Sequence, residues 1–472
     1  MKFLTVMNSL YINTFFIRII SACSLILSFC LENLHGQEVY KGPSVDFSHG
    51  RLVVHENKRF ICHSDGTPFF YLGDTAWELF HRLNEEEAEK YLENRRQKGF
   101  TVIQAVILAE EDGLNTPNRN NDKPLFDNDP QKPNEAYFSF VDKVVSIAKE
   151  KGIYIGLLPT WGDKVDKSWG QGPVIFNTEN AYAYGQYLGK RYKDYPNIIW
   201  IIGGDRSGGG NNTPIWDAMA RGIKSEETNH LMTFHPLGRN TSSTWFHDRE
   251  WLDFNSCQTG HHHYMYDIFE KLICGDYDKD PVKPVLNSEP CYEDHPVKNQ
   301  PKGVSIWFDE TNVRHAMYWS LFSGAFGHTY GCHPIWQFAV PGLGRGDTRN
   351  SWYDVLDLPG AWNMQHGRKL MESYDFFSRR PAPEIILTPQ TDIKDYAVAT
   401  RGKDYAFVYL PYGSSIDVSL EKIPGARRVK LSWFDPRTGE KKLIKRVRAK
   451  GIYKAEPPTS GHGYDWILIL EL

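Results

Sequence analysis

Eight apolar segments, each followed by a helical or irregular connection, constrain the fold of this chain more than any other feature. The predicted strands cover residues 69–73, 101–108, 153–159, 198–204, 231–235, 254–259, 284–288 and 328–333. Between them, amphipathic helices are predicted near 84–95, 138–148, 180–192, 214–224, 266–273, 313–322 and 359–374, and only 241–252 looks short and irregular. Such alternation predicts a parallel sheet covered by helices. Eight units over about 310 residues match a (β/α)8 TIM barrel in size.

A doubly wound α/β sheet is the alternative architecture. It is disfavoured because no predicted strand is followed by a Gly-x-Gly-x-x-Gly helix start. After Arg379-Arg380-Pro381 the helical pattern stops, and six short strands separated by Gly, Asp and Pro turns predict an all-β sandwich. Short strands with a turn at Asp65-Gly66 precede the barrel. The predicted domains are therefore a barrel with an N-terminal β-hairpin over 37–380 and a sandwich over 381–472.

The first 36 residues read as a secretory signal peptide. Lys2 and Arg18 precede an apolar run over 19–31, which is short for a membrane span and ends before Gly36. We therefore expect a secreted or periplasmic protein with no transmembrane domain in the mature chain. The order Ile-Ser-Ala-Cys at 20–23 resembles a lipoprotein cleavage box, but it lies early in the apolar run, so a lipid anchor is the minority alternative.

Several classes of function are disfavoured by what the sequence lacks. The 54 Lys and Arg residues nearly balance 58 Asp and Glu residues, so a nucleic-acid partner is not expected. No C-x-x-C pair exists, and His261-His262-His263 lacks the His-x-His on the first strand that zinc barrels use, so no metal is expected. The glycines at 203–204 and 208–210 lack a following Lys-Ser/Thr, which disfavours a nucleotide. No Gly-x-Ser-x-Gly elbow follows any strand. We expect no cofactor, and mostly free thiols among the five later cysteines.

Polar, ionisable and aromatic residues gather at or near the end of every predicted strand. In a (β/α)8 barrel, functional side chains project from the carboxyl ends of the strands and from the loops that follow. The predicted substrate-binding residues at these positions are Asp74, Trp77, Gln104, Trp161, Asp163, Arg206, His235, His261, His262, Tyr292 and Trp336. Among them, we expect Asp74, Trp161, Asp163, His235, His262 and Trp336 to line the sugar pocket.

Two carboxyl groups are the predicted catalytic pair. Asp205 ends the fourth strand and Glu289 ends the seventh, so the two face each other across the mouth of an eight-strand ring. One such residue alone is more often a helix cap or an ion-pair partner, but an opposed pair is the equipment of glycoside hydrolysis. The apolar fourth strand and the nearby Glu289 are expected to raise the pKa of Asp205. Donors such as His262 or Arg206 are expected to keep Glu289 ionised.

Four motifs resemble glycoside hydrolase family 140, the apiosidase-like group: LGDTAW at 72–77, IIWIIGGD at 198–205, QTGHH at 258–262 and KPVLNSEPCYED at 283–294. The resemblance covers nearly all of the chain after residue 36. It implies a (β/α)8 barrel followed by a β-sandwich often described as a collagen-binding domain. It also implies a retaining mechanism with Asp205 as acid/base and Glu289 as nucleophile, and pectin degradation through cleavage of apiose from rhamnogalacturonan II.

Two alternatives to that function stay open. The chain could be another β-glycosidase or furanosidase of the same barrel superfamily, because loops rather than motifs shape the substrate pocket. It could also be a non-catalytic protein that binds carbohydrate or matrix, although that interpretation would be favoured by loss of one carboxyl group, and both are present. In each case an oligo- or polysaccharide is the expected partner.

Overall fold

The computed structural model describes residues 39–262, 265–298, 304–423, 425 and 427–472. Residues 41–472 form one compact unit.

The predicted signal peptide lies outside the described residues and stays a prediction. No helix in the described ranges is long and apolar enough to span a membrane. The five cysteines at 62, 257, 274, 291 and 332 are free thiols, as expected.

A nearly closed barrel of parallel strands forms the first part of this unit. Two short antiparallel strands, β1 (Leu52–Val54) and β2 (Ile61–His63), precede it. The barrel strands are β3 (Leu72–Thr75), β4 (Val102–Leu108), β5 (Tyr154–Thr160), β6 (Ile198–Arg206), β7 (Met232–Pro236), the short β8 (Asn240–Thr241), β9 (Asn255–Gln258), β10 (Val285–Asn287) and β11 (Gly327–Tyr330). Their order is β7-β6-β5-β4-β3-β11-β10-β9-β8, with only β8 antiparallel. The predicted TIM barrel is confirmed.

Hydrogen bonds that involve side chains and two backbone amides close the barrel where β7 meets β9, and in one of them the amide of Met232 donates to Asp253 Oδ2 at 2.7 Å. The amide of Asp253 donates to the carbonyl of Met232 at 2.9 Å. Thr233 Oγ1 donates to the carbonyl of Phe254 at 2.7 Å and lies 2.8 Å from Ser256 Oγ. A buried threonine hydroxyl thus satisfies backbone groups that a regular ladder would otherwise pair.

Helices cover the outside of the barrel and follow the strands in the predicted order. They are α1 (Leu79–Arg82), α2 (Glu85–Gln97), α3 (Glu135–Glu150), α4 (Thr178–Tyr192), α5 (Thr213–Glu226), α6 (Ser243–Phe246), α7 (Tyr266–Phe269), α8 (Gly275–Tyr277), α9 (Glu310–Phe322), α10 (His333–Trp336) and α11 (Pro359–Glu372). A π-helical turn, Glu270–Cys274, joins α7 to α8. Short 3-10 turns occur at Pro43–Val45, Phe47–His49, Phe126–Asn128, Gly162–Lys164, Gly210–Asn212 and Pro383–Ile385.

Local sequence explains where the longer helices begin. Asn84 Oδ1 accepts from the amide of Glu87, and Glu87 Oε2 accepts from the amide of Asn84, both at 2.9 Å. This reciprocal pair is a capping box, which satisfies two of the amides that lack a partner at a helix start. Asn177 begins α4 and Asp309 begins α9 in the same way.

The second part of the unit is an all-β sandwich, as predicted. Its strands are β12 (Arg380–Pro381), β13 (Val398–Arg401), β14 (Tyr405–Leu410), β15 (Ile416–Ser419), β16 (Arg428–Phe434), β17 (Lys441–Arg448), β18 (Ile452–Ala455) and β19 (Trp466–Glu471). Six of them form a sheet in the order β12-β13-β14-β19-β16-β17, and β15 pairs with β18. The predicted boundary near residue 380 stays a prediction.

The central strands of the six-stranded sheet, β14 and β19, are largely buried on both faces. On one face Val408, Leu431 and Leu468 pack toward the small sheet formed by β15 and β18. On the other face Phe407 and Tyr409 join the main apolar core, where their rings pack against Phe322 of α9. Alternate residues of one strand therefore serve two different cores.

A buried ion pair joins the sandwich to the barrel. Arg314 of α9 donates to both carboxylate oxygens of Asp465, with N–O distances of 2.8 to 3.1 Å. Asp465 also accepts from Tyr409 Oη at 3.1 Å, and Arg314 donates to Asn363 Oδ1 at 2.8 Å. Since both charged groups are buried and hydrogen-bonded on several sides, removal of either one would leave the other as an uncompensated buried charge.

Candidate active site

A cavity of about 420 Å³ opens at the carboxyl ends of the barrel strands. Eight predicted site residues line it: Trp77, Trp161, Asp205, His261, His262, Glu289, Tyr292 and Trp336. Its floor is a small apolar cluster in which Val106, Leu158 and Ile201 pack beneath the indole and phenol rings. The cavity therefore has polar and aromatic walls above an apolar base.

Asp205 reaches the cavity through an irregular strand end. The pairing of β6 with β7 shifts register between Gly203 and Arg206. Gly203, Gly204 and Asp205 all have positive φ angles, of 99°, 127° and 55°. A Cβ atom at Gly204 would lie 2.9 Å from the amide nitrogen of Gly162, so only glycine fits there. Asp205 itself is a non-glycine residue in the left-handed region, which is uncommon and concentrates at functional sites.

Glu289 lies two residues beyond β10 and is held by two histidines. His261 Nε2 lies 3.0 Å from Glu289 Oε1, and His235 Nε2 lies 2.8 Å from Glu289 Oε2. Both histidine rings are packed in place: the His261 ring centroid is 4.3 Å from that of Tyr292 and 4.4 Å from that of His295. Each carboxylate oxygen of Glu289 thus has its own imidazole neighbour.

The pKa values of the two carboxyl groups are driven in opposite directions. Burial, together with the negative charge of Glu289, raises the pKa of Asp205 to about 6. Burial alone would raise the pKa of Glu289 too, but the hydrogen bonds and charges of His235 and His261 hold it well below the usual range. The surroundings therefore favour a proton on Asp205 and an ionised Glu289.

Aromatic rings form one wall of the cavity. The ring centroids of Trp77 and Trp161 are 5.1 Å apart, and both indoles pack against the ring of His235, at 5.2 and 5.9 Å. His235 is fully buried behind them and does not line the cavity itself. The prediction that His235 lines the pocket is therefore corrected: its ring is covered by the two indoles, and it acts on the site through Glu289.

Asp74 also lies outside the cavity. It is fully buried, and its Oδ2 accepts from Tyr91 Oη and from Arg95 Nε, both at 2.5 Å. Both partners belong to α2, on the outer side of the sheet. Successive side chains of a strand point to opposite faces, and the position of Asp74 on β3 faces the helices. The prediction that Asp74 binds sugar is corrected on this ground.

Asp163, Gln104 and Arg206 support the site without lining it. Asp163 is buried, pairs with Lys164 at 2.8 Å and accepts from the amide of Gly172 at 2.7 Å. Gln104 donates to the carbonyl of Ser288 at 2.9 Å, next to Glu289. The carboxylate of Asp163 and the amide of Gln104 hydrogen-bond to the backbone of neighbouring loops, so neither side chain lies on the surface of the cavity.

Arg206 organises a loop rather than touching Glu289. Its Nε donates to the carbonyl of Asp166 at 2.7 Å, its Nη1 to that of Asp205 at 2.8 Å, and its Nη2 to that of Trp169. Its guanidinium also lies 3.9 Å from the centre of the Trp169 ring. Arg206 therefore fixes Trp169, which lines the cavity and is 43% exposed.

The cavity also contains residues that the sequence analysis did not select: Glu110, Trp169, Lys298, His333, Arg345 and Asp347. Arg345 Nη2 donates to Glu110 Oε1 at 2.8 Å, and its guanidinium lies 4.7 Å from the Trp336 ring centre. Burial raises the pKa of Glu110 to about 8 against the opposing charge of Arg345. Glu110 and His333 lie within three residues of a strand end, although neither was predicted to bind substrate. Trp169, Lys298, Arg345 and Asp347 lie on long loops far from a strand end, so position relative to the strands gave no signal for those four.

Two family models match the chain. The model described as "Apiosidase-like, catalytic domain" matches residues 55–378, and the model described as "Putative collagen-binding domain of a collagenase" matches residues 381–471. No curated protein shows significant similarity to the chain.

Solved glycoside hydrolases are similar to the chain over most of its length. One, named "Glycoside hydrolase", shares 36% identity with a TM-score of 0.83 and covers 92% of this chain and 98% of its own. A glycoside hydrolase family 5 structure from Bacteroides vulgatus ATCC 8482 shares 35% identity with a TM-score of 0.84, covering 93% and 95%. A third structure is a GH27 β-L-arabinopyranosidase from Geobacillus stearothermophilus. It shares 12% identity with a TM-score of 0.50 and covers 85% of this chain and 97% of its own, so the likeness extends to the fold alone.

Replacing Asp74 with Ala tests its structural role. The change leaves the Arg95 guanidinium buried without its partner, and we expect it to lower the free energy of unfolding by about 3–5 kcal/mol. Urea or thermal unfolding measures this, with Asp194→Ala, an exposed aspartate on the barrel, as the control. Normal stability with selective loss of activity would restore Asp74 to the sugar site.

Proposed function

The chain belongs to the family of apiosidase-like catalytic domains, and on that premise we propose that it is a retaining glycoside hydrolase. Asp205 is the acid/base in this proposal, and Glu289 is the nucleophile. The observation that supports it most is the opposite displacement of their two pKa values within one cavity. Two carboxyl groups whose environments drive their pKa values apart are suited to one acidic and one anionic role.

In the first step Glu289 attacks the anomeric carbon while Asp205 donates its proton to the glycosidic oxygen. The bond to the leaving sugar breaks, and a covalent glycosyl ester of Glu289 forms. In the second step Asp205, now ionised, removes a proton from water, which attacks the same carbon and releases Glu289. His235 and His261 assist both steps because they hold Glu289 ionised and fix both of its oxygens.

The cavity suits a sugar flanked by hydrophobic rings. Trp77, Trp161 and Trp336 offer indole surfaces for the apolar faces of sugar rings, and His262, Glu110 and Arg345 offer polar groups for hydroxyls. We propose side chains of plant cell-wall polysaccharides as the substrate class, with apiose of rhamnogalacturonan II as the first candidate, supported by the family description. Such polymers are met outside the cytoplasm, in keeping with the predicted signal peptide.

The stereochemistry of the reaction tests the mechanism. Purified protein is screened on pectic and hemicellulosic oligosaccharides, and NMR identifies the anomer that appears first. We expect the first product to keep the configuration of the substrate, and Glu289→Gln to abolish turnover on every substrate cleaved. Glu250→Gln, an exposed glutamate, is the matched control. Initial inversion would overturn the retaining mechanism, and binding without turnover would favour a non-catalytic carbohydrate-binding protein.

Chemical rescue separates the two roles. Asp205→Ala should lose about 10²–10⁴-fold in rate on natural glycosides, yet still form the glycosyl ester from an aryl glycoside whose leaving group needs no proton. Added azide should then accelerate turnover and give a glycosyl azide of retained configuration, because the anion needs no general base. If azide instead rescues Glu289→Ala with retention and leaves Asp205→Ala unchanged, the assignments are reversed.

The pH profile of kcat/KM reports the acid. Asp205 must be protonated in the free protein, and its protonated fraction falls as the pH rises through about 6. We therefore expect kcat/KM to decline tenfold per pH unit above that value. Because the pKa of Glu289 is lowered, the acidic limb should lie below the ordinary carboxyl range. In Asp205→Ala, assayed on an aryl glycoside, the alkaline limb should vanish, and its persistence would assign that limb to another group.

A further inference from the structure

The sandwich differs in charge from the rest of the chain. Residues 381–472 contain fifteen Lys and Arg residues against eleven Asp and Glu residues, a net charge of +4, whereas the whole chain carries −4. The remaining 380 residues are therefore acidic. A whole-chain charge near zero thus conceals a basic module.

Much of the positive charge lies on one edge strand. Five of the eight residues of β17 are Lys or Arg, and all five are exposed: Lys441, Lys442, Lys445, Arg446 and Arg448. β17 is the last strand of the six-stranded sheet, with no strand on its outer side among the described residues. Eight extended residues span about 26 Å, the length of several sugar rings in a chain.

Like charges lie directly opposite one another on this edge. Arg428 of β16 is in register with Arg448, and Lys430 is in register with Arg446. Residues that face each other across two antiparallel strands have adjacent side chains on the same face, and like charges there destabilise the sheet. Of these four, Lys430 has an acidic partner, Glu471, at 3.1 Å, but Arg428, Arg446 and Arg448 have no ion pair within the described chain.

The opposite face of the strand is also positively charged. Lys442 and Lys445 lie in register with Trp433 and Leu431, whose side chains enter the sandwich core. The Lys445 ammonium lies 5.0 Å from the centre of the Tyr453 ring, and Lys442 has no ion pair among the described residues. Lysine side chains on an edge strand help to keep it from pairing with another chain. That protection does not call for like charges in direct opposition, as Arg428 of β16 and Arg448 of β17 are.

We propose that Arg428, Arg446 and Arg448 on one face of this edge, with Lys442 and Lys445 on the other face, bind a linear polysaccharide that carries anionic groups and runs along the edge; we call these five residues the basic strip. Carboxylates or sulfates spaced along such a chain would neutralise cations that the protein leaves unpaired. The choice of a polysaccharide over a nucleic acid rests on the proposed glycosidase function. It also rests on the absence of an exposed aromatic ring on β16 or β17, where Trp433 and Phe434 are buried and unavailable for base stacking.

Binding is measured on the full chain carrying Glu289→Gln, so that the polymer stays intact. The probes are polygalacturonate, dextran sulfate, neutral methyl-esterified polygalacturonate, duplex DNA and anionic lipid vesicles. We expect polygalacturonate or dextran sulfate to bind, with an affinity that falls as salt rises. The triple change Arg428→Gln, Arg446→Gln and Arg448→Gln should weaken that affinity about tenfold or more.

The matched control removes the same charge from the barrel: Lys149→Gln, Lys190→Gln and Lys193→Gln, all exposed. It should bind like the parent chain. The strip variant should melt no lower than the parent, because opposed like charges are removed, and without Glu289→Gln it should keep its kcat/KM on a small aryl glycoside. Equal affinity of the strip variant and the parent would overturn the proposal, as would tighter binding of DNA or vesicles than of either acidic polysaccharide. Binding by a chain that lacks glycosidase activity would support the basic strip and reject the proposed function.

Discussion

The burial of eight parallel strands on both faces is the constraint on which the rest of the structure depends. Every residue of β4 and β5 is buried, so the strands themselves offer no surface for chemistry. Polar groups can meet a substrate only where the strands end and the backbone turns outward. Asp205 and Glu289 occupy two such ends, and the aromatic cluster below them seals the barrel interior from the cavity. The buried strands thus stabilise the barrel, and the residues at the strand ends form the candidate active site.

Removal of the carboxyl groups from water has opposite consequences at the two positions. Both are desolvated, which opposes ionisation in each case. Glu289 escapes that penalty because two imidazoles reach its oxygens, whereas Asp205, beside a second negative charge, does not. The histidines are therefore as important to the asymmetry of the pair as the carboxyl groups are. Tyr292 and His295 matter in turn because they pack against the His261 ring.

Periodicity and turn chemistry predicted the barrel strands closely, since apolar runs of this kind fit only a sheet covered by helices. The four-residue strand β18 was not predicted, because its exposed Ile452 and Lys454 give no apolar alternation. Asp74 was predicted just beyond the first strand, whereas it lies within β3, and the face on which its side chain lies was not predicted. The direction of Asp205 depends on a register shift that no periodic pattern encodes. Arg345 and Lys298 reach the cavity on loops whose paths cannot be predicted from sequence spacing. The positive charge of the sandwich was missed because only the net charge of the whole chain was considered.

The contact between barrel and sandwich has a consequence for how the chain loses its structure. One face of the six-stranded sheet belongs to the main core through Phe407, Tyr409 and Phe434, and the Arg314–Asp465 pair lies within the same contact. Separating the two halves would expose those rings and leave a guanidinium and a carboxylate each without its counter-charge. The sandwich is therefore packed against the barrel through a shared core. Melting of either half would remove packing partners from the other, so we expect the two halves to unfold together, and an excised sandwich would expose an apolar aromatic face to its surroundings.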